Sequence, residues 1–173
     1  MTQYARPDSD VSDGSWYNSA DNQTNLYSYI DEASASDSDY IYATDDFGST
    51  NTCILGLGDV TDPSSAADHK FTIRTMEDAG MSSVSVTVTL QQGTTTIRAA
   101  SHNPGSSFSN HTTILTTAQA NSISDYSALR LKIESTDGMG MGTTTSVSHA
   151  YFECPDAEVS TQTGKAFLMF LDI

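Results

Sequence analysis

The chain has 173 residues and a formal charge of −15, from 22 acidic and 7 basic residues. That length fits one domain and is enough to bury a core without disulfide staples. A field of that sign repels phosphate backbones and anionic lipid, so neither nucleic acid nor a membrane surface is an expected partner.

Ser and Thr make up about a quarter of the residues, and only 17% are charged. Both hydroxyl residues compete with helical hydrogen bonding, so the composition suits hydroxyl-faced strands and turns. The start of the chain lacks a hydrophobic signal core, and no apolar run reaches the roughly 20 residues of a membrane span. Cytosolic synthesis is therefore expected, and with it free, buried thiols at Cys53 and Cys154, a disulfide being the alternative.

Residues 1–24 are polar and read as an irregular or extended arm, with Trp16 and Tyr17 as its large apolar anchors. Leu26 and Ile30 stand four apart, which suits a helical turn capped by Thr24 or Asn25; a strand is the alternative. The Ser-rich acidic run 31–39 is a loop, and Tyr40 to Ala43 a short strand. Residues 52–57 and 69–76 read as further strands, the second with Phe71 and Ile73 inward.

The clearest element is residues 83–91. Val84, Val86, Val88 and Leu90 fall on one side of an extended chain, and Ser83, Ser85, Thr87 and Thr89 on the other. A strand with one apolar face requires a second layer. Gln92-Gly93 turns it into a partner strand through Ile97, forming a hairpin, and residues 101–110 form an exposed loop. Thr112 to Leu115 is a strand, Thr116 or Thr117 caps a short helix, and Leu129 to Glu134 alternates strongly. The Gly138 to Gly142 turn leads to a strand over 143–153.

The expected fold is an all-β antiparallel sandwich, jelly-roll-like, with about eight to ten strands and one or two short helices. Its divisions are an arm (1–24), the sandwich (25–155) and an apolar C-terminal segment (156–173). Phe167, Leu168, Met169, Phe170 and Leu171 are apolar without alternation, so they need cover on both faces, from their own core or from another subunit.

Chemical motifs are weak. Asp8, Asp10 and Asp13-Gly14 resemble a calcium loop but miss the EF-hand spacing and lack its distal Glu. Asp37, Asp39, Asp45 and Asp46 cluster in sequence near Tyr40 and Tyr42, an acid-plus-aromatic composition that suits a sugar site. His69, His102, His111 and His149 are dispersed, and neither Cys sits in a C-x-x-C, so zinc is not expected. No G-x-S-x-G occurs, and Gly138 to Gly142 precedes a strand, so phosphate cradling does not fit it. No metal, cofactor or catalytic residue is expected.

Several phrases form an ordered set: Arg6-Pro7-Asp8-Ser9-Asp10-Val11 before Trp16, Leu26-Tyr27-Ser28-Tyr29-Ile30-Asp31-Glu32, Asp37-Ser38-Asp39-Tyr40-Ile41, Leu57-Gly58-Asp59-Val60-Thr61-Asp62-Pro63, and Leu115-Thr116-Thr117-Ala118-Gln119 with Ile123-Ser124-Asp125-Tyr126-Ser127-Ala128-Leu129-Arg130-Leu131. Over about residues 5–153 the set resembles a β-sandwich module of virion structural proteins in tailed bacteriophages. The resemblance implies a non-enzymatic protein that decorates or cements a capsid exterior. Its partners would be the major capsid protein or other virion proteins, and it would form a homo-oligomer. Trp16, Tyr17 and Phe167 to Leu171 would make the contacts. The alternative is an adhesin module of a phage fibre that binds host receptor or glycan, using Tyr40, Tyr42 and the 101–110 loop. A polysaccharide-cleaving enzyme would need a carboxylate pair, and none stands out.

Overall fold

A computed structural model describes residues 1–45, 48–78, 84–137 and 142–157. Among these, eleven strands form two antiparallel sheets packed face to face. The front sheet has the order β3 (Tyr17–Asn18), β4 (Ile41–Asp45), β11 (Thr143–Pro155), β6 (Lys70–Asp78), β9 (Ser109–Ile114), with β1 (Thr2–Ala5) also paired to β11. The back sheet has the order β2 (Pro7–Ser12), β5 (Thr50–Leu57), β10 (Leu129–Asp137), β7 (Val84–Gln92), β8 (Thr95–His102). Only β3/β4 and β7/β8 are consecutive strands within one sheet, so nearly every connection carries the chain across the sandwich.

The expected arm is part of both layers. β1 pairs with the end of β11, Tyr4 opposite Glu153, and β2 pairs with β5. A polar segment can do this because ladder hydrogen bonds need only backbone, and Ala5, Pro7 and Trp16 supply the buried side chains.

The alternation of β7 is realised in full: Val84, Val86, Val88 and Leu90 are each at most 1% exposed. The alternating segments 71–76 and 129–134 are the covers that the sequence suggests, and the structure separates their roles. β10 lies beside β7 in the same sheet, Leu131 opposite Leu90 and Ile133 opposite Val88. The cover comes from the front sheet, whose Phe71, Ile73, Val147, Ala150 and Phe152 join the same buried cluster. A side-chain pattern specifies a face and leaves open which neighbour lies beside the strand and which lies above it.

β11 departs from simple alternation. Its pairing with β6 shifts register between Val147 and His149, so a bulge places Val147 inward with Ala150 and Phe152. The same extra residue turns His149, Tyr151 and Glu153 to the outer face already occupied by Ser146.

Local signals fix the ends. Gly93 (φ 59) closes the β7–β8 hairpin in a left-handed conformation. α1 (Thr117–Ala120) carries a capping box between Thr116 and Gln119. The turn at residues 26–29 is a 3₁₀ helix whose N-cap residue, Asn25, is left-handed (φ 56) and offers no side-chain cap. The cap comes instead from Asp10 on β2, whose carboxylate accepts the Leu26 and Tyr27 amides at 2.9 and 3.0 Å.

Candidate functional site

The outer face of the front sheet carries a row of aromatic rings. Tyr17 lies opposite Tyr42, Tyr42 opposite Ser146, and Ser146 opposite Met76, so the four share one face across β3, β4, β11 and β6. Tyr17 and Tyr42 stack with centroids 5.7 Å apart and planes 24° from parallel. Tyr40, just before β4, lies 6.3 Å from Tyr42 and 6.4 Å from Phe108, just before β9. Three chain segments distant in sequence thus build one ridge of four rings. Tyr17 is 37% exposed, and Tyr40, Tyr42 and Phe108 are half-buried.

Polar groups are locked along the ridge. Arg74 of β6 places its guanidinium 5.8 Å from the Phe108 centroid and grips Asp37 through two 2.7 Å hydrogen bonds. Ser148, at the β11 bulge, donates to the same carboxylate at 2.9 Å. These bonds, the Arg74 contact foremost, hold the Asp37 carboxyl below its ordinary range, and they tie the 31–40 loop down over the face. At the other end the Tyr42 hydroxyl donates to Asp21 at 2.7 Å, and that bond to an anion pushes the phenol up to about 12.

Further along the same face, toward the C-terminal end of β11, lies a second aromatic group. Tyr4 meets Tyr151 edge-on at 5.7 Å, and the Arg6 guanidinium sits 5.3 Å from the Tyr4 centroid. His149 packs against Tyr151 at 5.2 Å, and its Nε2 hydrogen-bonds the Glu32 carbonyl at 2.8 Å. Burial pushes the Glu32 carboxyl up and the His149 imidazole down, both toward their neutral forms, and Glu32 Oε2 is buried with no hydrogen-bond partner. Lys70 and Glu153 close this end with a 2.9 Å ion pair.

The residues singled out from sequence are sorted by this geometry. Trp16 is 0% exposed and lies in the core, so it anchors the chain from within and presents no surface for an intermolecular contact; its Nε1 is buried without a partner. Tyr17 has the opposite exposure because it is the next residue on an extended chain. Phe167, Leu168, Met169, Phe170 and Leu171, and the Gly138–Met141 part of the glycine turn, lie outside the described residues. Tyr40, Tyr42 and the 101–110 loop come together through Phe108. Asp37 reaches Arg74, and Asp39 accepts from Ser36 at 3.2 Å, while Asp46 and the side chain of Asp45 lie outside the described residues.

The calcium-loop candidate is dispersed in structural roles. Asp10 caps the 3₁₀ turn, Asp8 accepts from Ser9 at 2.8 Å, and the Asp13 carbonyl accepts the Trp16 amide. Gly14 is left-handed (φ 55), and a Cβ there would collide with the Thr52 carbonyl oxygen, which accounts for the glycine without a metal. Among the described residues no group of three His, Cys, Asp or Glu is arranged to hold a metal ion. His69 is buried, its ring bonded to the Ala67 carbonyl and, at 2.7 Å, to the Tyr126 hydroxyl. Both cysteines are buried with free thiols.

Arg74, Phe108, Asp21, Tyr4, Arg6 and Tyr151 were not singled out. Tyr151 and His149 carried a signal, since both fall in one alternating set of β11, but Arg74 and Tyr4 acquire their neighbours only through pairing across the sheet.

No family model and no curated protein matches the sequence. Among solved structures, the chain is similar to a CBM4 protein (15% identity, 87% of this chain and 93% of that one, TM-score 0.41). It is also similar to the CBM36-1 domain of a multidomain xylanase from the hindgut metagenome of Trinervitermes trinervoides (14%, 92% and 100%, TM-score 0.39). A third is TmCBM61 in complex with β-1,4-galactotriose (11%, 65% and 68%, TM-score 0.39). These likenesses are remote in backbone path as well as in sequence, so function has to be read from this chain's own surface.

Proposed function

We propose that the chain is a non-catalytic glycan-binding module whose recognition surface is the Tyr17–Tyr42–Tyr40–Phe108 ridge. The observation that carries this reading is the convergence of four rings from three segments onto one solvent-facing sheet face. Aromatic side chains on an outer face gain nothing from the sandwich core, and such surfaces mark sites of interaction. The flat C–H face of a pyranose stacks on a ring, while its hydroxyls seek donors and acceptors at the rim. Here the rim groups Asp21, Asp37 and Arg74 are held in place by hydrogen bonds, with the buried Ser148 bracing Asp37 from beneath, so little ordering entropy is lost on binding.

Charge favours a neutral ligand. Arg74 is balanced by Asp37 and Lys70 by Glu153, so the face is locally compensated within a strongly acidic chain. The capsid-decoration role implied by the resemblance relied on Trp16, which is internal, on Tyr17, which is exposed and belongs to the ridge, and on Phe167 to Leu171, which lie outside the described residues. No surface observation favours it over glycan binding.

The test is a glycan array followed by calorimetric titration of Tyr17→Ala and Tyr40→Ala. Loss of one stacking ring is expected to weaken binding by up to about tenfold per substitution. Affinities unchanged in both variants, or an array with no retained glycan, would overturn the reading.

A further inference from the structure

We infer that the bound glycan is an extended linear chain of at least about five sugar units, held at both ends of the front face. This rests on the glycan-binding reading above and adds a second contact, the Tyr4–Arg6–Tyr151 group. Tyr4 is 46% exposed, which leaves nearly half of the side chain free although Arg6 stacks on it and Tyr151 meets it edge-on.

Three observations join the two groups into one surface. The first is continuity of face: Met76, Arg74, Thr72 and Lys70 alternate outward along β6, and they lie opposite Ser146, His149, Tyr151 and Glu153 of β11. The bulge in β11 makes this continuity, since without it Tyr151 would be on the other face from Ser146. The second is collinearity. β4 and β1 pair with the same edge of β11, at residues 143–147 and 152–155, and between them Ile30 accepts the Ala150 amide. Tyr42 and Tyr4 therefore stand in one file parallel to β11, with Tyr40, Asp37, Glu32 and Arg6 near the line between them.

The third is distance. The Tyr42 row meets β6 at Met76 and the Tyr4 row meets it at Lys70, six residues and so about 20 Å apart. With bond lengths near 1.5 Å a pyranose advances a linear chain by roughly 5 Å, so a chain of about five units places a ring on each platform. The middle of the span offers Arg74 and Asp37, polar groups suited to sugar hydroxyls, while His149 lies buried beneath them against the Glu32 carbonyl. Two weak contacts joined by one ligand reinforce each other only if the ligand is long enough to reach both.

The experiment is calorimetric titration with a length series, dimer to hexamer, of the neutral linear oligosaccharide that the array selects, against wild type, Tyr4→Ala, Tyr4→Phe and Tyr17→Ala. Affinity should rise by about tenfold between trimer and pentamer and then level off. Tyr4→Ala should reduce pentamer binding to the trimer level without changing trimer binding, and Tyr4→Phe, which keeps the ring, should retain the gain. Tyr17→Ala should weaken every length. An affinity that is flat beyond the trimer, or a pentamer gain that survives in Tyr4→Ala, would overturn the two-platform inference and leave the ridge reading intact. Insensitivity to Tyr17→Ala at all lengths, or absence of binding, would overturn both.

Discussion

His102 and His111 stack face to face, ring centroids 3.7 Å apart and planes 20° from parallel, where β8 at the edge of the back sheet meets β9 at the edge of the front sheet. Thr75 hydrogen-bonds His102 Nε2 at 3.0 Å, and Ser109 hydrogen-bonds His111 Nε2 at 3.2 Å. The loop between the two histidines carries Phe108, so the seam and one end of the aromatic ridge are parts of one connection.

This seam makes stability depend on pH. Burial, and then the neighbouring ring, pushes His102 down to about 4, and burial also lowers His111. Between the ordinary value of about 6.5 and the folded value, the unfolded chain takes up protons that the folded chain refuses. Stability is therefore expected to be full above that window, to fall as pH drops through it, and to level off below it. Thermal melts of wild type and His102→Asn from pH 7.5 to 4 check this, the variant showing the shallower decline. Equal slopes would assign the acid sensitivity to other groups, His111 and His149, which burial also lowers, or the carboxylates.

Asp10 is expected to act as a cap across 16 residues of sequence. Asp10→Ala should cost about 1 kcal/mol in urea unfolding, the usual loss for a helix cap. Added calcium should change the melting temperature of neither protein, whereas protection of the wild type alone would show that the carboxylate serves a cation.

Leu90→Ala should cost about 2–5 kcal/mol, because Leu90 is 0% exposed and faces the rigid front sheet, which collapses only partly onto the space left. The expected signature in chemical denaturation is a lower midpoint with an unchanged slope. A cost under about 1 kcal/mol would mean that the two sheets pack loosely there.

Cys53 and Cys154 belong to opposite sheets, on β5 and β11, and both are 0% exposed. Burial pushes the Cys53 thiol far up and the Cys154 thiol up to about 11, so neither offers thiolate at neutral pH. Alkylation followed by mass spectrometry should label neither in the folded chain and both in denaturant. Rapid labelling of Cys154 without denaturant would show that the end of β11 opens.

Much of the sandwich is legible in the sequence, because alternation is a local property. β6, β7, β10 and the capping box of α1 follow from neighbours within a few residues. The recognition ridge is legible only in fragments. Tyr40 and Tyr42 stand beside acidic residues and the 101–110 loop looks exposed, but nothing in the string says that Phe108 lies 6.4 Å from Tyr40 or that Arg74 spans to Asp37. Tyr17 next to Trp16 reads as half of an anchoring pair, and the structure divides that pair between surface and core.

By itself the sequence determined the layers: strands with one apolar face, an excess of hydroxyl residues, and a charge that repels polyanions. The tertiary structure decided which strands are neighbours and which are covers, and it turned separate aromatics into one file on the front face. Backbone ladders bring together residues a hundred or more positions apart, as Tyr42 and Ser146 are, and a single bulge in β11 decides which of its side chains share that face. Neither choice is encoded in a local pattern, because pairing partners are selected by the burial of the whole sandwich at once.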